Sequence, residues 1–268
     1  MEIVRHKLNT AFAWHQGEGP YTTITETQAR AYRELGGFVY EDAFSHEEIA
    51  AVREALDPLH EDANAALAGL APDAPSISRA DEIVFNAHLV TKSDVARQFA
   101  SHPVFVGLCR DLLAAPARLY WDQLVYKHRS PAEFPWHQDN GYTFVEPQQY
   151  LTCWVALTDA TLDNGCPAIA PGLHHHGTLR HRWTDLGFRC LPPGDCAQHG
   201  FEELPLPLNA GSIAVFSSLT PHRTGPNRTD STRKAYILQY APDGAVVHQR
   251  DGRRVRADAP DRQFLVTS

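Results

Sequence analysis

The stretch FPWHQDNGY, residues 134–142, places a histidine and an aspartate two positions apart behind a proline and a tryptophan. Side chains alternate along an extended segment, so His137 and Asp139 are expected to project to the same side and could hold one metal ion. With 15 histidines and 32 acidic residues in the chain, an H-x-D pair is also a common surface hydrogen bond. The pair therefore needs support from the rest of the sequence.

A third candidate ligand comes from GSIAVFSSLTPHRTGPN, residues 211–227. An apolar strand is predicted to end at Thr220–His222 ahead of a turn, which would leave His222 at a strand end facing inward. Two neutral imidazoles and one carboxylate form the facial triad that suits nonhaem iron(II) and leaves coordination positions open. Eleven residues later, Arg233 opens the strand AYILQY, where it could bind a carboxylate with two hydrogen bonds. Taken singly, His222 could bond a backbone carbonyl and Arg233 could form a surface ion pair.

Residues 1–115 are predicted to be mainly helical. Capping boxes, a serine cap and a first-turn proline mark four helix starts, at Thr25, Ser45, Ser93 and Pro103. The helix from Ser45 should be interrupted or kinked at Pro58, because proline lacks a donor and clashes with the preceding turn. A short strand is expected at residues 38–40, and a loop around residues 71–75.

Residues 116–268 are predicted to form antiparallel β-structure. Runs rich in β-branched and aromatic residues recur between turns, namely LYWDQLVYK, YLTCWVAL, CPAIA, SIAVF, AYILQY and AVVHQ. Asp163–Gly165 and Asp251–Gly252 are turn signals. The irregular stretch 177–200 is too long for a simple turn and is typical of a lid or a substrate wall. Because no linker or repeat divides the chain, we expect one domain over residues 1–268.

Composition and charge disfavour several classes of protein. No apolar run approaches the length of a membrane span, and residues 1–14 lack the apolar core of a secretory signal, which favours the cytoplasm. The five cysteines are odd in number and form no C-x-x-C pair, so reduced thiols are expected. A formal charge of -8 disfavours binding to nucleic acid or to a membrane and favours a small-molecule partner.

The sequence resembles the phytanoyl-CoA dioxygenase family of iron(II)/2-oxoglutarate-dependent oxygenases over most of its length. The resemblance rests on HQD at 137–139, LTCW at 151–154, NGC at 164–166, PGLH at 171–174, and His222 with Thr224, Asn227 and Arg233. It implies a mainly β fold with flanking helices, in which a double-stranded β-helix, or jelly roll, is packed by the N-terminal helices.

The resemblance also implies roles for individual residues. It assigns the iron to His137, Asp139 and His222, and contacts with the cosubstrate 2-oxoglutarate to Arg233, Thr224, Trp154 and Gln123. Arg233 would bind the distal carboxylate of 2-oxoglutarate with help from Thr224. Trp154 could equally be a core aromatic side chain between two sheets.

The implied reaction uses 2-oxoglutarate and dioxygen to oxidise an unactivated C–H bond, with release of succinate and carbon dioxide. Asp139 points to hydroxylation or a related oxidation, because related halogenases have a small residue there that leaves room for chloride. Substrates in the family include acyl thioesters, amino acids and natural-product skeletons. The chain has no basic run suited to a coenzyme A phosphate, so we expect a small free metabolite.

Two alternatives stay open. A hydrolase or lyase could hold zinc with the same three ligands and activate water, and a jelly-roll protein could bind a ligand without turnover.

The histidines at 174–176 and His181 could form a second metal site. Adjacent loop histidines point in divergent directions, however, so solvated side chains are expected for this group.

Overall fold

The structure is a computed structural model that describes residues 3–69 and 76–267, so the loop predicted around residues 71–75 lies outside the described residues. The helices are α1 (Glu26–Leu35), α2 (His46–Ala68), α3 (Asp94–Phe99) and α4 (Pro103–Leu113). The strands are β1 (Gly37–Tyr40), β2 (Ile83–Ala87), β3 (Ala117–Lys127), β4 (Phe134–His137), β5 (Val145–Glu146), β6 (Leu151–Ala156), β7 (Pro167–Ile169), β8 (Arg182–Thr184), β9 (Gly187–Arg189), β10 (Leu204–Pro205), β11 (Ile213–Ser217), β12 (His222–Thr224), β13 (Arg233–Pro242), β14 (Val246–His248) and β15 (Arg254–Arg256).

The helix starts follow the predicted capping chemistry. Thr25 and Ser45 each accept a hydrogen bond from the backbone three residues on, and Gln28 and Glu48 complete the two capping boxes. Of the two outcomes predicted at Pro58, an interruption or a kink, the interruption does not occur, because the helix continues to Ala68. Pro58 lies on the exposed face, where the carbonyl that loses its donor can be hydrated.

Two antiparallel sheets build a jelly roll. The larger sheet has the order β1-β11-β6-β13-β3-β2, and the smaller has the order β10-β7-β12-β4. Apolar side chains of both sheets meet in one buried cluster that includes Trp154, Phe216, Ile169 and Leu206. The prediction of a mainly β fold with flanking helices is confirmed.

Alternation along the central strands separates the two faces of the larger sheet. On β6, Cys153 and Val155 join the cluster that contains the helical residues Leu108 and Leu112, whereas Trp154 faces the smaller sheet. The helices therefore cover the outer face and leave the space between the sheets for a site. The first part of the chain also supplies the two edge strands of this sheet, of which β2 was not predicted.

The irregular stretch 177–200 contains structure that its sequence did not reveal. Strands β8 and β9 pair into a short hairpin that joins neither main sheet.

The turn signal at Asp251–Gly252 does join β14 to β15 as predicted. All five cysteines are free thiols, and no helix of the described residues is long and apolar enough to cross a membrane.

Replacing Leu238 by alanine should destabilise the contact between the helices and the larger sheet. Leu238 lies on β13, is fully buried and belongs to the cluster beneath the helices. We expect the free energy of unfolding to fall by about 2–5 kcal/mol, because the lost transfer energy adds to the cost of a cavity. Chemical denaturation followed by circular dichroism measures this change.

The matched control is Leu162→Ala, because Leu162 is 63% exposed. Its free energy of unfolding should change by less than about 0.5 kcal/mol. An equal loss in the two variants would contradict the assignment of Leu238 to the core.

Candidate metal centre

Three potential metal ligands converge between the two sheets. One ligand atom from each of His137, Asp139 and His222 lies within 4.8 Å of the others. His222 Nε2 is 3.7 Å from Asp139 Oδ1, and the two imidazole centroids are 4.1 Å apart. Across residues 3–69 and 76–267, no other group of three histidine, cysteine, aspartate or glutamate residues meets this spacing.

Strand pairing in the smaller sheet brings the two histidines together. His137 ends β4 and His222 opens β12, and the two residues lie directly opposite each other in the antiparallel ladder. The prediction that His222 ends the preceding apolar strand is wrong, since β11 ends at Ser217. Asp139 lies beyond β4, but Gln138 keeps an extended backbone with φ -111° and ψ 142°, so the two-residue relation holds locally.

Both imidazoles present their Nε2 atoms to the centre. His137 Nδ1 lies 2.8 Å from the carbonyl of Pro135, and His222 Nδ1 lies 3.0 Å from the carbonyl of Thr220. A carbonyl can only accept, so each Nδ1 carries the hydrogen and each Nε2 keeps its lone pair. Burial lowers the pKa of His137 well below its ordinary value and that of His222 to about 4, so both rings are neutral at pH 7.

Asp139 completes the donor set. Burial raises its pKa, while Thr152 donates a 2.6 Å hydrogen bond to Oδ2 and leaves Oδ1 towards His222. A buried carboxylate is stabilised by a cation, and two imidazoles with one carboxylate are the donors that suit iron(II). These three residues therefore fit a metal ion with open coordination positions.

Gln138, between the first two candidate ligands, anchors the surrounding loops. Its backbone N–H donates to His181 Nε2 at 2.9 Å, and its side-chain amide donates to the carbonyls of Gly177 and Leu219. Its Oε1 accepts from the backbone N–H of Leu179 at 2.6 Å. The H-x-D turn is thus fixed from behind by a fully buried amide.

The prediction of solvated side chains is wrong for His174 and His181. The ring of His174 is buried against Trp14 with centroids 4.6 Å apart, and its Nε2 lies 3.0 Å from the carbonyl of Arg33. A Cβ added to Gly141 would lie 2.0 Å from His181 Cε1, so glycine is needed where His181 supports the turn. His175 is exposed, as expected.

A cavity of about 340 Å³ opens onto the three candidate ligands and is lined by Gln123, Trp154 and Thr224. This volume lies in the range of small-ligand sites. Thr224 follows His222 by two residues on β12 and shares its face. The predicted pocket residues therefore lie at one cavity, and Trp154 also contributes to the core between the sheets.

Arg233 is fully buried behind Trp154 and does not itself line the cavity, and its burial is incompatible with a surface ion pair. Its Nη1 donates to the carbonyl of Gly165 at 2.9 Å, and its Cζ is 5.0 Å from the centroid of Trp154. Its Nε and Nη2 and the Thr224 hydroxyl have no hydrogen-bond partner among the described residues. Burial lowers the pKa of Arg233 to about 10, so it is charged at neutral pH. These groups fit a bound carboxylate.

Lys127 is a second buried cation, and the sequence analysis missed it. It lies directly opposite Arg233 across β3 and β13, is fully buried, and donates to the carbonyl of Gly225. Burial, and then the charge of Arg233, lower its pKa to about 7. Lys127 and Gln123 are four residues apart on the predicted strand LYWDQLVYK, so their side chains were expected on the same face. This spacing was the sequence signal that could have identified Lys127.

Glycines bring the two acceptor carbonyls close together. Gly165 has φ +81°, and a Cβ there would lie 2.3 Å from the carbonyl oxygen of Gly225. The turn at 163–165, which was predicted from its sequence, therefore meets the turn after β12. Only a residue without a side chain allows this approach.

Comparisons with known proteins agree with this arrangement. The sequence model of the family "Phytanoyl-CoA dioxygenase (PhyH)" matches residues 32–235. Methylphosphonate hydroxylase from Gimesia maris is 31% identical over 134 residues, which are 48% of this chain and 47% of that protein. A probable alpha-ketoglutarate-dependent hypophosphite dioxygenase from Stutzerimonas stutzeri is 26% identical over 227 residues, 80% and 77% of the two chains.

The fold is also similar to that of solved enzymes. The epimerase SnoN, solved with Fe3+, alpha ketoglutarate and nogalamycin RO, superposes with a TM-score of 0.70 at 21% identity. The match covers 90% of this chain and 98% of SnoN.

The curated relatives with the strongest matches are aligned over only about half of their own length, as the 47% for the Gimesia maris protein illustrates.

Replacing His137 or Asp139 by alanine should remove bound metal and leave the fold intact. Each substitution takes one of three donors from the group, and neither side chain belongs to an apolar cluster. Iron(II) added without oxygen should bind the parent protein at about one ion per chain and each variant at a small fraction of that. Metal analysis after gel filtration gives the stoichiometry, and circular dichroism reports the fold.

His175→Ala is the control, because His175 is exposed and outside the group. It should retain the iron(II) of the parent protein. Full iron binding by both the His137 and Asp139 variants would overturn the assignment of the centre.

Proposed function

The chain belongs to the phytanoyl-CoA dioxygenase (PhyH) family, and from that membership we propose that it is an iron(II)- and 2-oxoglutarate-dependent oxygenase. It would oxidise an unactivated C–H bond of a small metabolite. The observation that carries the proposal is a cavity that opens onto the His–Asp–His group and whose lining residue Trp154 packs on a buried arginine with unpartnered N–H groups. We further propose one oxygenase domain over residues 1–268, because β1 and β2 tie the helical part to the larger sheet.

The metal would be held by Nε2 of His137, Nε2 of His222 and Oδ1 of Asp139. When bound with 2-oxoglutarate and dioxygen, iron(II) supplies the oxidising power for C–H oxidation, with release of succinate and carbon dioxide. The protein fixes the two ring orientations through the carbonyls of Pro135 and Thr220. His137 and His222 are buried and Asp139 is partly buried, which would limit access of water to the reacting groups.

The cosubstrate would be held mainly by Arg233. Its Nε and Nη2 groups and the hydroxyl of Thr224 would donate to the distal carboxylate. Trp154 packs against the guanidinium, and Lys127 would add a second positive charge. Gln123 Oε1 accepts from Trp121 Nε1 at 3.2 Å, which leaves its amide N–H groups for a ligand in the cavity.

The buried cations weigh against a zinc hydrolase, and the two neutral imidazoles weigh against a binding protein without turnover. A zinc hydrolase needs the three ligands and a water molecule, and has no use for two buried cations beside the cavity. A binding protein without turnover would have no need of two neutral imidazoles, His137 and His222, that both direct Nε2 at the candidate metal centre. Retention of the Asp139 carboxylate supports hydroxylation or a related oxidation over halogenation.

The cellular setting stays a prediction. The five free thiols support a reducing compartment such as the cytoplasm. The cavity supports a small-molecule substrate, and the net charge of -8 gives no reason to expect nucleic acid or a membrane as a partner.

Arg233→Gln should weaken 2-oxoglutarate binding and spare iron. Loss of a charge-assisted contact in a fully buried site is expected to cost about 2–4 kcal/mol, or roughly thirty-fold to several-hundred-fold in affinity. Titration of 2-oxoglutarate into the anaerobic iron(II) protein, followed by the charge-transfer absorption of a chelated keto acid, measures it.

Arg254→Gln is the matched control, because Arg254 is exposed and pairs with Glu146 at 2.9 Å. Its titration curve should be that of the parent protein. If Arg233→Gln also leaves the curve unchanged, or if the parent protein shows no such absorption, the zinc hydrolase becomes the better explanation.

Binding of 2-oxoglutarate should weaken as the pH rises through neutrality. Lys127 has a pKa of about 7 without an anion, and a carboxylate favours its charged form, so the ligand selects the protonated state. We expect a decrease of about tenfold in affinity between about pH 6.5 and pH 8.5. The same anaerobic titration, repeated across this range, gives the dependence.

In Lys127→Met this pH dependence should disappear and the affinity at low pH should fall. Arg233 does not titrate in this range, because its pKa is about 10. An unaltered pH profile in Lys127→Met would remove Lys127 from the cosubstrate site.

A further inference from the structure

A row of aromatic rings leads from the candidate metal centre to the mouth of the cavity. Tyr142 packs edge-to-face on His137 with centroids 5.4 Å apart, Phe188 packs on Tyr142 at 5.2 Å, and Trp183 packs on Phe188 at 5.0 Å. Tyr142, Phe188 and Trp183, here called the aromatic wall, all line the cavity. Trp183 is 48% exposed, so the row ends at solvent.

Contacts with Tyr142 hold the hairpin β8–β9 in place. Trp183 and Phe188 are directly paired across the hairpin, so both side chains lie on the same face. The Tyr142 hydroxyl accepts from the backbone N–H of Phe188 at 3.2 Å. Gly187 has φ +80°, and a Cβ there would lie 2.6 Å from the Tyr142 hydroxyl, so the close approach requires glycine. The wall is therefore a fixed surface.

The rest of the cavity lining is also largely apolar. It includes Ile77, Phe85 and Trp121, and the indole N–H of Trp121 is already donated to Gln123. A flat apolar molecule would find aromatic surface both on the wall and at Phe85 and Trp121. A small, highly charged oxyanion would lose its hydration there and find few donors in return.

One cation stands in the lining of this cavity among the described residues. Arg250 is exposed in the turn after β14, and no carboxylate of the described residues lies within ion-pair distance of it. The neighbouring Asp251 pairs instead with Arg253 at 2.7 Å. Asp139 is the only carboxylate of the described lining, and it faces the metal centre. The mouth thus favours an anionic group.

We propose that the primary substrate has a flat, ring-containing apolar body and one anionic group, such as a carboxylate. The body would lie between the aromatic wall and Trp121, and the anion would lie against Arg250 at the mouth. The end of the body away from the anion would then face the metal centre. This proposal rests on the proposed function only for which part of the molecule is oxidised, because the binding surfaces are independent of the metal.

Three probes test the proposal by calorimetry on the full chain loaded with iron(II) and 2-oxoglutarate without oxygen. They are 1-naphthylacetate, its neutral match 1-naphthylacetamide, and methylphosphonate. The acid should bind about fivefold more tightly than the amide, as expected for one exposed charge pair, and methylphosphonate should bind more weakly than either. Equal binding of acid and amide, tighter binding of methylphosphonate, or no binding of either aromatic probe would overturn the proposal.

Variants separate the two surfaces. Arg250→Gln should abolish the preference for the acid and leave amide binding within about twofold. Trp183→Ala should weaken acid and amide alike by about tenfold, through loss of an aromatic contact. Arg182→Gln is the matched control, because Arg182 lies beside Trp183 on the opposite face of the hairpin and should change nothing. An Arg250→Gln variant that keeps the acid preference would contradict the assignment.

Arg233→Gln distinguishes a failure of this proposal from a failure of the proposed function. If the acid loses affinity in Arg233→Gln and keeps it in Arg250→Gln, the acid occupies the cosubstrate position and the proposal is wrong. If 2-oxoglutarate does not bind the parent protein but the acid still depends on Arg250 and Trp183, the substrate class stands and the oxygenase assignment fails.

Discussion

The pairing of β4 with β12 is the constraint on which the site depends. It places His137 opposite His222 in an antiparallel ladder, and cross-strand neighbours in such a ladder are close enough for two Nε2 atoms to share one ion. On β12, Thr224 lies two residues beyond His222 and lines the same cavity, although the register with β4 shifts between these two residues. A slip of one residue along β12 would turn both side chains to the other face, so this strand would fix the candidate metal and cosubstrate positions together.

The second constraint is the burial of charge at Arg233 and Lys127. Taking two cations out of water is unfavourable, and the carbonyls of Gly165 and Gly225 satisfy only part of their donors. The lowered pKa values of both residues, about 10 and about 7, express that cost. A fold that keeps such a pair beside a cavity is poised for an anion, because a bound carboxylate offsets the unfavourable burial.

The sequence predicted the parts of the site that follow local rules. The i and i+2 spacing of His137 and Asp139, the position of Arg233 at the start of a strand, and the capping boxes are all set within a few residues of chain. What it missed depends on distant partners. His181 is half-buried and accepts a hydrogen bond from Gln138, which is far from it in sequence. The spacing from Gln123 could have placed Lys127 on the same strand face, but its position opposite Arg233 depends on the pairing of β3 with β13, which no local pattern reports.

Much of the remaining structure is organised around the stretch 138–142. Gln138 ties the turn to the loops around residues 177–179 and 219, Asp139 faces the metal centre, and Gly141 leaves room for His181. The Tyr142 hydroxyl then accepts a hydrogen bond from the backbone of the hairpin β8–β9. Asp139, a candidate metal ligand, and Tyr142, part of the aromatic wall, are three residues apart on this turn, so movement of the wall would displace Asp139. In the proposed oxygenase, the position of a bound apolar molecule would thereby be set relative to the candidate metal centre by short covalent distances, a precision that oxidation of one chosen C–H bond would require.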